Sequence, residues 1–263
     1  MTRLELEGIE FAYADGPSVL AGASLAVGAG ELVALAGANG SGKSTLLAIA
    51  AGLARPAAGR AAVDGRDVAH LAPRLRARTV ALVPQGLRRW PEAGVRTFVA
   101  GGRYAHQRGL AGMTAEDEAA IDSALEQALV ADLAEARLDR ISGGQRQRVL
   151  VARALAQEAA LLLVDEPTAA LDPRHQLRVL EVLAGAAAAG AAVLFATHEL
   201  HLAVQFAERL ALIDGGAIVI DAATDTCLES GALEGVLGLT VGRWETTRGE
   251  LAMPLPQREA RPR

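Results

Sequence analysis

The chain has 263 residues and a formal net charge of −5, enough for one or two domains with a real core. It is 51% hydrophobic but only 3% aromatic, the composition of a soluble α/β protein, which argues against a membrane-spanning or disordered chain. Charges of both signs are interspersed, so no nucleic-acid partner is expected. The single cysteine, Cys227, excludes an intrachain disulfide and a cysteine-based zinc site and fits a reducing compartment. Met1-Thr2-Arg3-Leu4-Glu5 lacks the apolar stretch of a signal peptide, so a cytoplasmic location is expected. Among 26 basic residues, Lys43 is the only lysine.

In chain order, Leu4 to Tyr13 and Ser24 to Val27 read as antiparallel strands. Leu32 to Ala36 is a short apolar strand entering a glycine loop, followed by a helix near Ser44 to Leu53. Val80 to Val83 is another buried strand. From about Gly86 to Leu138 the β pattern disappears, and the acidic, alanine-rich Thr114 to Ala136 is the clearest helical stretch. This reads as an inserted helical subdomain, about residues 86–155. Then come the strand Leu161 to Val164, a helix around Arg174 to Ala187 and the strand Ala192 to Ala196. A hairpin follows, Leu210 to Ile213 turning through Asp214-Gly215-Gly216 into Ala217 to Ile220. Strands alternating with helices predict a parallel sheet with its ligand at the carboxyl ends of the strands. Residues 1–245 read as one domain, and 246–263 as a loose tail rich in Pro and Arg.

The loop Gly37-Ala38-Asn39-Gly40-Ser41-Gly42-Lys43-Ser44, with Thr45 next, fits the phosphate-loop pattern between strand and helix. Glycines let the backbone wrap a polyphosphate, helix N–H groups supply donors, and Ser44 offers a hydroxyl to Mg²⁺. The compact ammonium of Lys43 suits the β/γ-phosphates better than arginine's planar fork. Asp165 and Glu166, at the mouth of the strand Leu161 to Val164, predict a magnesium-holding carboxylate and a water-activating base. Ser142-Gly143-Gly144-Gln145 has the spacing of a capping box. That spacing leaves the glycines unexplained, since each costs a helix about 1 kcal/mol relative to alanine. Bare backbone at a helix start suits a second grip on phosphate.

With these motifs in this order, the chain resembles the nucleotide-binding subunit of an ATP-binding cassette (ABC) transporter from about Arg3 to Trp244. Supporting residues are Tyr13, where the family stacks an aromatic on adenine, Gln85, the run Ala169-Ala170-Leu171-Asp172, and Thr197-His198. The resemblance implies a RecA-like P-loop core with an N-terminal antiparallel β subdomain and an inserted helical subdomain. It also implies a homodimer that sandwiches two ATP molecules. Each ATP would lie between the phosphate loop of one copy and Ser142 to Gln145 of the other. In that arrangement Lys43 and Ser44 hold phosphate and Mg²⁺, Gln85 contacts the magnesium and reports the γ-phosphate, Glu166 activates water, His198 holds the γ-phosphate, and Asp172 couples the sites. His70, His106, His175 and His201 receive no role.

The partners implied are polytopic membrane permease subunits, with this chain peripheral on the inner face of the cell membrane, and, indirectly, a substrate-binding protein. The helical segment after Gln85 is expected to meet the permease. Its run Gly101-Gly102-Arg103-Tyr104-Ala105-His106-Gln107 is similar to importers of iron-siderophores, haem and vitamin B12, with Ala105 in place of an expected proline. The alternatives are a soluble ABC ATPase of iron-sulfur assembly and an importer ATPase for another substrate such as metal ions.

Overall fold

The structure, a computed structural model, describes residues 2–14, 16–107, 112–229, 233, 239–246 and 249–256. The elements are β1 (Thr2–Ala12), β2 (Ser18–Gly28), β3 (Leu32–Ala36), α1 (Lys43–Ala50), β4 (Ala58–Val63), β5 (Arg66–Asp67), α2 (Pro73–Thr79) and β6 (Val80–Val83). Next come α3 (Val95–Ala100), α4 (Ala115–Gln127), α5 (Gly143–Ala156), β7 (Leu161–Asp165), α6 (Pro173–Ala188) and β8 (Ala192–Thr197). The last are α7 (Leu200–Phe206), β9 (Arg209–Asp214), β10 (Ala217–Ala223), α8 (Thr224–Glu229), β11 (Leu239–Thr246) and β12 (Gly249–Pro256).

Six strands form the central sheet in the order β10-β9-β3-β8-β7-β6, parallel except for the β9–β10 hairpin. A second, antiparallel sheet runs β2-β1-β4-β5. The continuous apolar runs of β3, β7 and β8 follow from burial on both sheet faces. Val33, Leu35, Leu161, Leu163 and Leu194 pack toward α1 and the antiparallel sheet, while Ala34, Leu162, Val164, Val193 and Phe195 pack toward the other helices. Register then decides the site: Ala36 pairs with Thr197, and Asp165 with Ala196. The residues that follow these strands therefore leave the sheet at one edge, as expected for ligands of a parallel sheet.

Several element bounds differ from the sequence reading. The first helix stops at Ala50, because Gly52 takes φ 68° and its N–H returns to Ile49 O, a glycine-terminated helix end. The helix expected over Thr114 to Ala136 ends at Gln127: Leu129 turns to φ 53° and a short 3-10 turn follows at Ala131–Leu133. Its start is sharply set by a Thr114–Asp117 capping box. Part of the expected loose tail is ordered, since Gly249–Pro256 pairs with Leu239–Thr246 in a two-stranded sheet. Prolines hide that strand from a sequence reading, but both strands of such a sheet are edges, where a missing N–H is tolerated. Residues 257–263 of that tail lie outside the described residues. Nor are charges interspersed everywhere: between residues 68 and 114 there are eight arginines and one acid, Glu92.

The importer-like run is also more internal than a docking surface requires. Gly102, Arg103 and Ala105 are buried. A Cβ on Gly102 would lie 2.4 Å from Arg153 O, so the 3-10 turn Gly101–Ala105 and α5 touch backbone to backbone. Arg103 donates from Nε to Asp117 (2.9 Å) and from Nη1 to Ala156 O (2.9 Å) and Glu158 (2.5 Å), tying α4 to the end of α5. The Thr114 backbone N–H, and then Arg103, hold the Asp117 carboxyl down to about 2 from its ordinary 3.8. A carboxyl with a depressed native pKa stabilises the fold fully above its unfolded value and loses that contribution as pH falls toward the native one. Asp117→Asn is therefore expected to lower stability at pH 7 by about 3 kcal/mol, as for a broken buried pair. It should also flatten the loss of stability between pH 4 and about 2. Urea unfolding of both proteins across that range checks it.

Candidate nucleotide site

The phosphate loop is shaped by close approach as much as by flexibility. A Cβ on Gly37 would lie 2.4 Å from Ile213 O, and one on Gly42, at φ 104°, would lie 2.7 Å from Leu20 Cδ2. Only glycine fits either place. Gly42 stands at the N-cap of α1 without a side-chain cap, and the first turn holds no acid, so the opening N–H groups are left for an external anion. Lys43 is 5% exposed and donates from Nζ to Gly37 O (2.8 Å) and Ala38 O (2.9 Å). Its ammonium thus closes the loop on itself and keeps one donor of three. Burial lowers the Lys43 pKa, an effect opposed by the charges of Glu166 and then Asp165.

Asp165 ends β7, with its Oδ1 buried and without a hydrogen-bond partner, as is Ser41 Oγ. Burial raises the Asp165 pKa, against the Ser44 hydroxyl beside it. An orphaned buried acceptor is costly and calls for a missing partner. Glu166 takes φ 50° and is held by its N–H to Ala196 O (3.0 Å). That left-handed turn costs of order 1 kcal/mol and gives two adjacent acids different directions. Glu166 is buried, and its Oε2 accepts from His198 Nδ1 at 2.8 Å. The 32-residue separation of this pair is closed by β7 and β8 lying side by side.

A cavity of about 500 Å³ brings together the loop residues Asn39, Gly40 and Gly42 to Thr45 with Tyr13, Gln85 and Glu166. Tyr13 is 59% exposed, stands edge-on to Phe11 at 5.0 Å between centroids, and meets Thr45 Oγ1 through its hydroxyl at 3.3 Å. Gln85 follows β6 and is exposed. Thus the residues expected to form one half of a nucleotide site lie together, and His198 is joined to them through Glu166.

Ser142, Gly143, Gly144, Gln145 and Asp172 line a separate cavity of about 510 Å³ and share no residue with the first. The capping box expected at Ser142 is present: its hydroxyl accepts from Gln145 N–H (3.2 Å) while Gln145 Oε1 accepts from Ser142 N–H (2.8 Å). The glycines then differ in their reasons. A Cβ on Gly144 would meet Leu171 Cδ2 at 3.2 Å and Ala170 O at 3.3 Å, whereas one on Gly143 would face open space, so packing bears on Gly144 and not on Gly143. Asp172 caps α6 through His175 N–H (3.1 Å) and bonds His175 Nδ1 (2.7 Å), which lowers its pKa.

Sequence reasoning missed His175 and Arg148, which line this second cavity. It also missed Thr168, Gln176 and Glu199, which bond one another. The Asp-x-x-His spacing of a helix cap was a usable signal for His175. Nothing local marked Glu199, whose partners lie 23 and 31 residues away.

The ABC transporter family profile matches residues 20–169. The chain is 37% identical to the cobalamin import ATP-binding protein BtuD of Halobacterium salinarum, over 97% of its own length and 64% of that protein's. It therefore spans less than two thirds of that relative. It is 43% identical to the hemin import ATP-binding protein HmuV of Nocardia farcinica over 78% of this chain and 72% of that one. A solved metal-chelate type ABC transporter, in an inward-facing conformation, superposes with a TM-score of 0.83 at 28% identity, covering 98% and 99% of the two chains. With its phosphate loop, acid pair and Ser142-capped helix placed on a matching fold, the chain belongs to the ABC transporter family.

Proposed function

We propose that this chain is the ATP-binding and hydrolysing subunit of an importer for an iron-siderophore, haem or cobalamin type substrate, working as a homodimer on separate permease subunits. The observation that carries the dimer is the separation of two incomplete half-sites: one cavity has the phosphate loop and base, the other the Ser142 to Gln145 helix start. Two copies facing head to tail would complete both. The relatives' import names support the substrate class. No helix among the described residues is long and apolar enough to cross a membrane, and the reading places the transport path in a partner, with this chain on the membrane's inner face. Tyr104, 59% exposed with Arg74 5.9 Å from its ring centroid, is the part of the importer-like run available to that partner.

Lys43 and the α1 N–H groups would bind the polyphosphate, and Tyr13 would stack the base. The orphaned Asp165 Oδ1, with Ser44 and Gln85, fits Mg²⁺, which prefers few protein oxygens and completes its shell from phosphate and water. When bound, Mg²⁺ supplies charge stabilisation at the transferring phosphoryl group. A carboxylate only accepts, so the His198 bond places a proton on Nδ1, and donating from Nε2 to the γ-phosphate as well requires the imidazolium form. The other oxygen of Glu166 is left to take a proton from water.

Purification from the native membrane tests the assembly. A polytopic membrane subunit and a substrate-binding protein should accompany the chain, and loading that binding protein with an iron-siderophore, haem or cobalamin should stimulate ATPase. Soluble partners alone would overturn the importer reading.

A further inference from the structure

One side chain outside both half-sites joins the segments that carry them. Glu199 occupies the N-cap position of α7 but makes no side-chain capping bond. The carboxylate is turned back instead: Oε2 accepts from Thr168 Oγ1, and Oε1 accepts from Gln176 Nε2 at 3.2 Å. The Glu199 N–H also donates to Thr197 Oγ1 at 2.9 Å, which stiffens the loop that bears His198.

Each partner leads to a different half-site. Thr168 is 1% exposed and lies two residues beyond Glu166, whose carbonyl accepts from Ala169 N–H (3.2 Å). Gln176 stands in the first turn of α6, where its N–H bonds Asp172 O (2.9 Å), next to His175 on the Asp172 carboxylate. Bonds to an ionised carboxylate are roughly twice as strong as neutral ones. The Glu166–His198 pair is thus anchored at both ends on segments that Glu199 clamps to the Asp172 turn.

We propose that Glu199, through Thr168 and Gln176, is a positioning residue that holds the Glu166–His198 pair in register with the Asp172–His175 turn. Filling the second cavity of a chain would then adjust the hydrolytic pair of that same chain. The inference rests on the composite-site reading above.

Glu199→Ala, Glu199→Gln and Gln176→Leu test it, with thermal unfolding to confirm that each folds. Glutamine can accept from Gln176 through its oxygen and donate to the Thr168 hydroxyl through its nitrogen, so it preserves both bonds. Glu199→Ala is expected to lower kcat about tenfold or more by misplacing the pair, with the KM for ATP within about twofold and the Hill coefficient for ATP reduced toward 1. Amide exchange at His175 and Gln176 should quicken about tenfold in the same variant. Gln176→Leu, which leaves the Glu199–Thr168 bond but removes the Gln176 Nε2 bonds to Glu199 (3.2 Å) and to Thr168 O (3.4 Å), should show the same changes, and Glu199→Gln should stay within about threefold of wild type. Unchanged exchange in Glu199→Ala, or a Glu199→Gln as impaired as Glu199→Ala, would overturn the proposal. If the wild type itself neither hydrolyses ATP nor dimerises with it, the composite-site reading fails, and the exchange comparison still decides the positioning role.

Discussion

Lys43→Arg is expected to reduce ATP turnover about 100-fold or more although it preserves charge, the size of loss that follows removal of one well-placed transition-state donor. The ammonium is buried and reaches the carbonyls of Gly37 and Ala38 at 2.8 and 2.9 Å. A guanidinium is longer and planar, with five donors in a fixed fork, and cannot make the same two short bonds from one nitrogen while presenting a third donor to phosphate. The loop cannot widen to admit it, because Gly37 and Gly42 already abut Ile213 O and Leu20. Steady-state ATPase, with nucleotide binding measured separately, checks the expectation; normal turnover in the variant would refute it. The same residue gives a chemical readout. As the only lysine, it should acylate more slowly when MgATP is bound.

Glu166→Gln should keep ATP binding but lose turnover by about 10³-fold, within the range for removing a general base. Glutamine matches glutamate in shape and can occupy the same φ 50° turn held by Ala196 O, so the fold should survive. It cannot take a proton from water at neutral pH. Because hydrolysis is what would separate the sandwich, ATP should drive the variant into a dimer, seen by light scattering or gel filtration. A monomer at saturating ATP would contradict the sandwich, and near wild-type turnover would remove Glu166 from its role.

Both expectations concern residues visible in the sequence, and there is a chemical reason for that visibility. Gripping phosphate requires contiguous backbone N–H groups, small residues and one cation, so Gly37 to Thr45 must appear as a run. The strands were readable for a similar reason: β3, β7 and β8 are buried on both faces and leave unbroken apolar stretches. The ends of helices were less so. The sequence reading ran past Leu129 because a leucine in a left-handed turn has no compositional mark, and prolines concealed the Gly249–Pro256 strand.

Sequence alone determined the family, the parallel architecture and nearly all the groups proposed to touch nucleotide, because these depend on local spacing and on residue chemistry. Tertiary structure alone decided how those groups act on one another. It joined His198 to Glu166, buried Arg103 of the importer-like run against Asp117, spent the Ser142 hydroxyl on a cap, and set Glu199 between Thr168 and Gln176. Pairings of this kind link residues dozens of positions apart, and their geometry is fixed by strand register and helix packing, neither of which leaves a local pattern in the chain.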